Sequence, residues 1–242
     1  MIRFNFYQDK EFISLYERMS VYEKAEDSNV LYNLPTIVRI KLTNIPASYV
    51  KESLIYTAEK ICENVQNIKT AYVGFDEITL LIINNNSQQW FNGNTQKIVS
   101  AISSIATYYF NDSAQSFNNR KKFHRLEVNV FNIPRHEVNN CFIWRQKDSM
   151  RKQLLEKAQQ HFSQRDINRK SLAQVSAMLI EKTGHEIKIN NGFCVNKEYL
   201  VLNSDNDLEK IKTTKWVMDE ETPLFHEDKT YLSLLVKIND II

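Results

Sequence analysis

Asp76 and Glu77 are the residues of this 242-residue chain whose types and placement most invite chemistry. They divide two apolar runs, Thr70 to Phe75 (TAYVGF) and Ile78 to Ile83 (ITLLII), so the segment reads as a β-hairpin with adjacent carboxylates at its turn. Carboxylates from neighbouring strands can bridge two Mg²⁺ ions roughly 3.5–4 Å apart, which activate an attacking oxygen and neutralise a triphosphate. Such a site also needs an acid at the end of the first strand. There the sequence reads Arg39-Ile40-Lys41-Leu42, and no acid lies between Asp27 and Glu52. An Asp-Glu pair between strands is more often a turn signal than a metal site, so both readings stay open here. Lys41 is expected within ion-pairing reach of Asp76, where an ammonium would take the space and charge of a metal ion.

Other chemistries are excluded by composition. The four glycines, Gly74, Gly93, Gly184 and Gly192, stand too far apart for a phosphate-binding loop or a dinucleotide fingerprint. Cys62, Cys141 and Cys194 form no zinc-ligand spacing and read as reduced thiols of a cytoplasmic protein. His161 and Ser163 lack the support a hydrolytic triad requires. The 31 Lys and Arg against 29 Asp and Glu leave a net charge of +2, so a nucleic-acid surface would have to be a local patch. One such run is Arg120, Lys121, Lys122 and Arg125, either a solvated loop or a phosphate contact. No apolar run reaches membrane-spanning length, and no signal peptide is expected.

The elements that must position these residues follow from periodicity. Phe12, Leu15, Tyr16, Met19 and Tyr22 suggest a short N-terminal helix. Thr36 to Leu42 is β-branched and reads as a strand. Pro46 can open a helix reaching Val65, with Val50, Leu54, Ala58, Ile61 and Val65 on one face. After the hairpin come a helix over Trp90 to Phe110 and a strand over His124 to Asn132. Strand, helix, strand, strand, helix, strand is the ferredoxin-like βαββαβ order of α/β proteins, an antiparallel sheet with two helices on one face. Beyond Pro134 two helices are expected, Glu137 to Phe162 and Ser171 to Thr183. Short strands then return in FCVNKEYLVL and TKWVM, with a surface hairpin tip between Asn203 and Lys212. The natural division is a palm-like core with its N-terminal helix over 1–134, and a helical and β extension over 135–242 packed on it.

Several blocks along nearly the whole chain carry a resemblance. They are YERMSVYE from Tyr16, LPTIVRI from Leu34, AYVGFDEITLLI from Ala71 and WFNGNTQKIVSAISSIATYYFN from Trp90. Downstream stand VFNIPRHEVNNCFIWRQKD from Val130, AQQHFS from Ala158, NGFCVNKEY from Asn191 and TKWVMDEETPLF from Thr214. With these blocks the chain resembles the tRNA-His guanylyltransferase family, in particular its bacterial guanylyltransferase-like members, which add nucleotides in the 3′–5′ direction at tRNA 5′ ends. The resemblance implies a palm fold, Mg²⁺ with GTP or ATP if the site is active, tRNA or a related RNA and a nucleoside triphosphate as partners, and a homodimer or homotetramer in the cytoplasm.

Carried over residue by residue, the resemblance gives Asp76 and Glu77 the catalytic hairpin positions, Asp76 that of a metal ligand. Arg39 and Lys97 fall at triphosphate contacts. Trp144, Arg145, Gln146 and Asp148 match the helix-opening motif, and Arg145, Lys147, Arg151 and Lys152 form a cationic group expected to face RNA. Four positions depart from the pattern: Phe75 stands at a Ser, Lys41 at the first-strand metal Asp, Leu42 at a Gly and Asn129 at an Arg. Lys152 also replaces a common Asn. The departures concentrate at the chemistry, so the sequence reads as a relative with two-metal catalysis impaired or lost, a pseudoenzyme or repurposed subunit without a required cofactor, for which a protein partner is an alternative to RNA. The competing reading is an active 3′–5′ nucleotidyltransferase with unusual Mg²⁺ ligation.

Overall fold

The computed structural model describes residues 14–25, 28–43, 50–84, 89–117, 123–203 and 210–236. Helix α1 (Leu15–Glu23) opens on a capping box in which Ser14 and Glu17 satisfy each other's backbone amides. It is followed by β1 (Thr36–Leu42), α2 (Val50–Asn64), β2 (Ile68–Val73), β3 (Glu77–Ile82), α3 (Thr95–Phe117) and β4 (Leu126–Asn132). These strands lie antiparallel in the order β4-β1-β3-β2, the ferredoxin-like arrangement expected from the sequence. Phe12, Pro46 and the basic residues Arg120, Lys121 and Lys122 lie outside the described residues.

Strand parity sorts the side chains. Val38, Ile40 and Leu42 of β1, with Ile78 and Leu80 of β3, pack against Leu54, Ala58 and Ile61 of α2 and Ile98, Ile102 and Phe110 of α3. The alternate residues, Ile37 and Leu81 among them, meet the other face, covered by Leu15 and Met19 of α1 and by α4 (Val138–Gln159), which contributes Val138, Cys141 and Phe142. The sheet is thus buried on both faces, and β3 is buried at every residue. Each fully buried Leu or Ile contributes on the order of 1.5–3 kcal/mol. Arg39 and Lys41 share the parity of Ile37 and point to the α1–α4 side.

The segment after residue 134 does more than pack on this core. After α5 (Gln164–Ile167) and α6 (Leu172–Thr183), strands β5 (Phe193–Asn203) and β6 (Lys210–Asp219) extend the same sheet to six strands, β5 pairing with β2. Helix α7 (Lys229–Val236) follows and adds Leu232 to the α4 side. The ends of α4, α5 and α6 enclose a small separate core of Leu154, Ala158, Ile167, Val175 and Leu179. Residues 204–209 of the expected hairpin tip lie outside the described residues.

Two local differences have clear causes. The hairpin strands end and begin earlier than the apolar runs, because the Gly74 amide donates to the Glu77 carbonyl at 2.8 Å and closes a turn over Phe75 and Asp76. The helix expected from Trp90 is broken. Phe91 and Asn92 take left-handed φ angles of 50° and 52° and Asn94 is extended, so a single 3₁₀ turn over Trp90–Gly93 precedes α3. No helix among the described residues is long and apolar enough to cross a membrane.

Candidate functional site

Glu77 opens β3 opposite Lys41, and its carboxylate turns under α4 into a cluster of charges. Arg39 donates to it from Nε at 2.9 Å and pairs through Nη2 at 2.7 Å. Arg145 Nη1 lies 3.3 Å from its other oxygen. Asp76, in the turn, accepts from Lys152 Nζ at 2.7 Å. The same ammonium stands 3.0 Å from Asp148 and 3.7 Å from Glu77. Glu23, the last residue of α1, closes the group by pairing with Arg39 and, at 3.6 Å, with Arg145. Four carboxylates therefore share three cations in one largely dry volume, Asp76, Glu77 and Arg145 being 3%, 1% and 3% exposed.

Helix α4 builds most of this, because Arg145, Asp148, Ser149 and Lys152 fall at successive three- and four-residue steps on one of its faces. Ser149 Oγ accepts from the Phe75 amide at 2.9 Å and ties the hairpin turn to the helix. One residue after Arg145, the buried Gln146 accepts from the Phe225 amide and donates to the Asn191 and Pro223 carbonyls. The Trp-Arg-Gln block is thus a three-way joint in which Arg145, stacked 3.3 Å from the Trp144 ring, reaches the carboxylates while Gln146 holds two loops.

The electrostatics follow from burial against charge. Burial alone would discharge Lys152, but Glu77, the hydrogen bond to Asp76, and the charges of Asp148 and Asp76 outweigh it and raise its pKa. Burial opposes ionisation of Asp148 too, and Lys152, Arg145 and Arg151 overcome it and lower its pKa. Arg39 is likewise raised, since Glu77 and Glu23 outweigh its burial. Lys147 is lowered by burial.

The structure brings together Arg39, Asp76, Glu77, Arg145, Asp148 and Lys152 among the residues singled out in the sequence. Lys41 is a correction. It forms no ion pair among the described residues; β1 reaches Asp76 through the Leu42 amide, which donates to the Asp76 carbonyl at 3.0 Å, and the ammonium on the Asp76 carboxylate comes from Lys152. Arg145 and Lys152, expected to face RNA, are instead turned into the cluster, and only Arg151 of that helical face is well exposed, at 48% of its side chain. Lys97 is exposed in the first turn of α3, on the opposite face of the sheet from Arg39, and no contact joins the two. Glu23 and Ser149 were missed as site residues. The signal for Glu23 was its place at the end of the YERMSVYE block, with nothing to say what it faced.

A two-metal site does not fit these residues as they stand. Metal oxygens must be free lone pairs, whereas Asp76 Oδ1 accepts from an ammonium and both oxygens of Glu77 face guanidinium groups. Among the described residues no group of three or more Asp, Glu, His or Cys is arranged to hold a metal ion.

The site is thus a ferredoxin-like, palm-type sheet carrying a carboxylate hairpin beneath a cationic helix. The model of the tRNAHis guanylyltransferase family matches residues 48–134, the stretch from the approach to α2 to the end of β4. The fold is similar to a bacterial tRNAHis guanylyltransferase-like protein in complex with ATP, at TM-score 0.74 and 26% identity over 93% of this chain and 100% of that one. A bacterial tRNAHis guanylyltransferase-like protein in complex with GTP (TM-score 0.63, 24% identity, 93% and 100% covered) has the same fold. So does tRNAHis guanylyltransferase from Saccharomyces cerevisiae, at TM-score 0.60 and 13% identity over 78% of this chain and 92% of that one. No curated protein matches the sequence. The chain is similar in sequence and fold to the tRNAHis guanylyltransferase family, as its motif blocks led us to expect.

Proposed function

We propose that this protein binds a nucleoside triphosphate and tRNA, or a related RNA, and that it has lost two-metal catalysis. Nucleotide binding is supported by the likeness to the bacterial protein in complex with ATP. Loss of catalysis rests on one observation, the Lys152 ammonium 2.7 Å from Asp76 Oδ1. A divalent ion entering there must displace a half-buried cation bound to three carboxylates, and if catalysis is mainly metal-ion charge stabilisation its loss removes most of the rate. The triphosphate reading relies on the exposed Lys97, since Arg39 is committed to Glu23 and Glu77. A cytoplasmic homodimer or homotetramer belongs to the same proposal.

Calorimetry with ATP and GTP, with and without Mg²⁺, tests the binding half. Weak binding that depends little on Mg²⁺ and falls on Lys97→Ala is expected. Nucleotide incorporation on 5′-monophosphorylated and 5′-triphosphorylated tRNA tests the other half, with no product expected. Robust 5′ addition lost on Asp76→Ala would establish an active 3′–5′ nucleotidyltransferase with unusual ligation and overturn the proposal.

A further inference from the structure

With Arg145 buried and Lys152 paired with three carboxylates, the RNA reading lacks most of its expected surface, and the distribution of charge shows where another lies. Beyond Lys152, residues 153–190 hold six Lys and Arg against four Asp and Glu, while the rest of the chain holds 25 against 25. The net positive charge of the protein therefore resides in the small helical unit of α5, α6 and the end of α4, which has its own core. Arg165 in α5 and Arg169 and Lys170 in the turn before α6 are all exposed, and none of the three is in an ion pair among the described residues. The one acid among them, Asp166, accepts from the amide and hydroxyl of Ser163 and feels the charge of Lys170 without forming an ion pair with it.

Arg169 has a further peculiarity. Its φ of 67° is left-handed, a conformation that costs an ordinary L residue about 1–2 kcal/mol and that Asn takes more cheaply. Asn168 is its neighbour, yet the arginine occupies the strained position. A cation held at such a cost points to use beyond the fold. The chemistry of the surrounding surface favours a polyanion over a protein. Within residues 151–190 the exposed large apolar side chains come down to Ile180, whereas a protein interface needs an apolar centre. Phosphate backbones are bound by cations with little apolar contact.

We infer that the α5–α6 turn, through Arg165, Arg169 and Lys170, is the surface that takes the phosphate backbone of the RNA. The inference rests on the RNA half of the proposed function. Fluorescence anisotropy with a labelled tRNA-His transcript over a salt series tests it, using the full chain and the triple variant Arg165→Gln, Arg169→Asn, Lys170→Gln. Asn at 169 keeps the left-handed backbone, so the variant's melting temperature should not fall. Each lost phosphate contact removes about 0.9 from the slope of log affinity against log salt, so a slope shallower by about two to three is expected, with binding at 0.1 M salt weaker by on the order of 100-fold. ATP binding should be unchanged. The control is Lys182→Gln with Lys188→Gln, two exposed cations at and beyond the far end of α6. An unchanged slope in the triple variant, or an equal loss per charge in the control, would overturn the assignment while the proposed function stands. Absence of tRNA binding by the wild type would overturn the assignment together with the RNA half of that function, and calorimetry with ATP would then report on the nucleotide half separately.

Discussion

Replacing Lys152 by alanine strips the one ammonium from Asp76, Asp148 and Glu77, which it approaches at 2.7, 3.0 and 3.7 Å. Removing one partner of a buried ion pair costs about 3–5 kcal/mol, because the remaining charge is left without compensation. The Lys152 side chain is 19% exposed, so water can reach part of the vacated volume and the lower end, about 3 kcal/mol, applies. For a chain of this length that lowers the melting temperature by roughly 6–12 °C. The variant should also acquire what the wild type lacks. Freed carboxylates can take a divalent ion, and Mg²⁺ at about 100 times its Kd would restore about 2.7 kcal/mol. Scanning calorimetry of both proteins across a Mg²⁺ series measures both effects. Lys152→Asn, which installs the residue that resembling proteins commonly carry, should behave like the alanine variant with better retained packing. The reasoning is refuted if the alanine variant melts within a degree or two of the wild type. It is refuted equally if the wild type gains as much from Mg²⁺ as the variant, for then the carboxylates accept a metal with the lysine in place.

Three further outcomes are expected. Asp148 is held below its ordinary 3.8 and Lys152 above its ordinary 10.5, so the first contributes stability that is lost as pH falls below about 4 and the second stability that is lost as pH rises beyond about 10.5; urea unfolding at stepped pH should show a plateau between, with both shoulders softened in Lys152→Ala. Burial pushes the Cys141 and Cys194 thiols up to about 12 and raises Cys62 as well, so a thiol reagent at pH 8 should label the three cysteines only after denaturant is added. Gly192→Ala should destabilise by about 3 kcal/mol or more in denaturant titration, because its Cβ would drive into the Tyr72 ring at a φ of 90°; a loss below about 1 kcal/mol would mean the Tyr72 packing yields freely.

What the sequence disclosed was mostly periodic. The β-branched alternation of Thr36–Leu42 and the three-and-four spacing of α2 each depend on near neighbours, and both elements lie where the pattern puts them. The breaks were harder to read. Asn92 before Gly93 is compatible with a left-handed turn, but nothing in the sequence announces that Phe91 joins it. Short α5 and α7 lack enough turns to show a periodic face. At the site, adjacency in the sheet was the available guide, and it set Lys41 against Asp76, whereas the register puts Lys41 opposite Glu77 and Lys41 pairs with neither acid. It could not show that the helix opening at Val138 would lay Arg145 and Lys152 across both acids. Those contacts are tertiary, and a charge on an amphipathic helix gives no sign of whether it meets water or a carboxylate. Lys152 was legible as a departure, and its partner was not.

The attachment of β5 to β2 bears on how the chain is made. Thr70 pairs with Asn196, so the β2 edge of the four-strand block waits for a strand 126 residues further on. Synthesis at about 5–20 residues per second leaves that edge open for roughly 6–25 s on a ribosome. The waiting strand, with Ala71, Tyr72 and Val73 all buried in the finished protein, offers unpaired backbone and apolar surface to any neighbouring nascent chain during that interval. A fragment ending after β4 would keep the edge open permanently. It should therefore aggregate during expression, whereas the whole chain closes its own sheet.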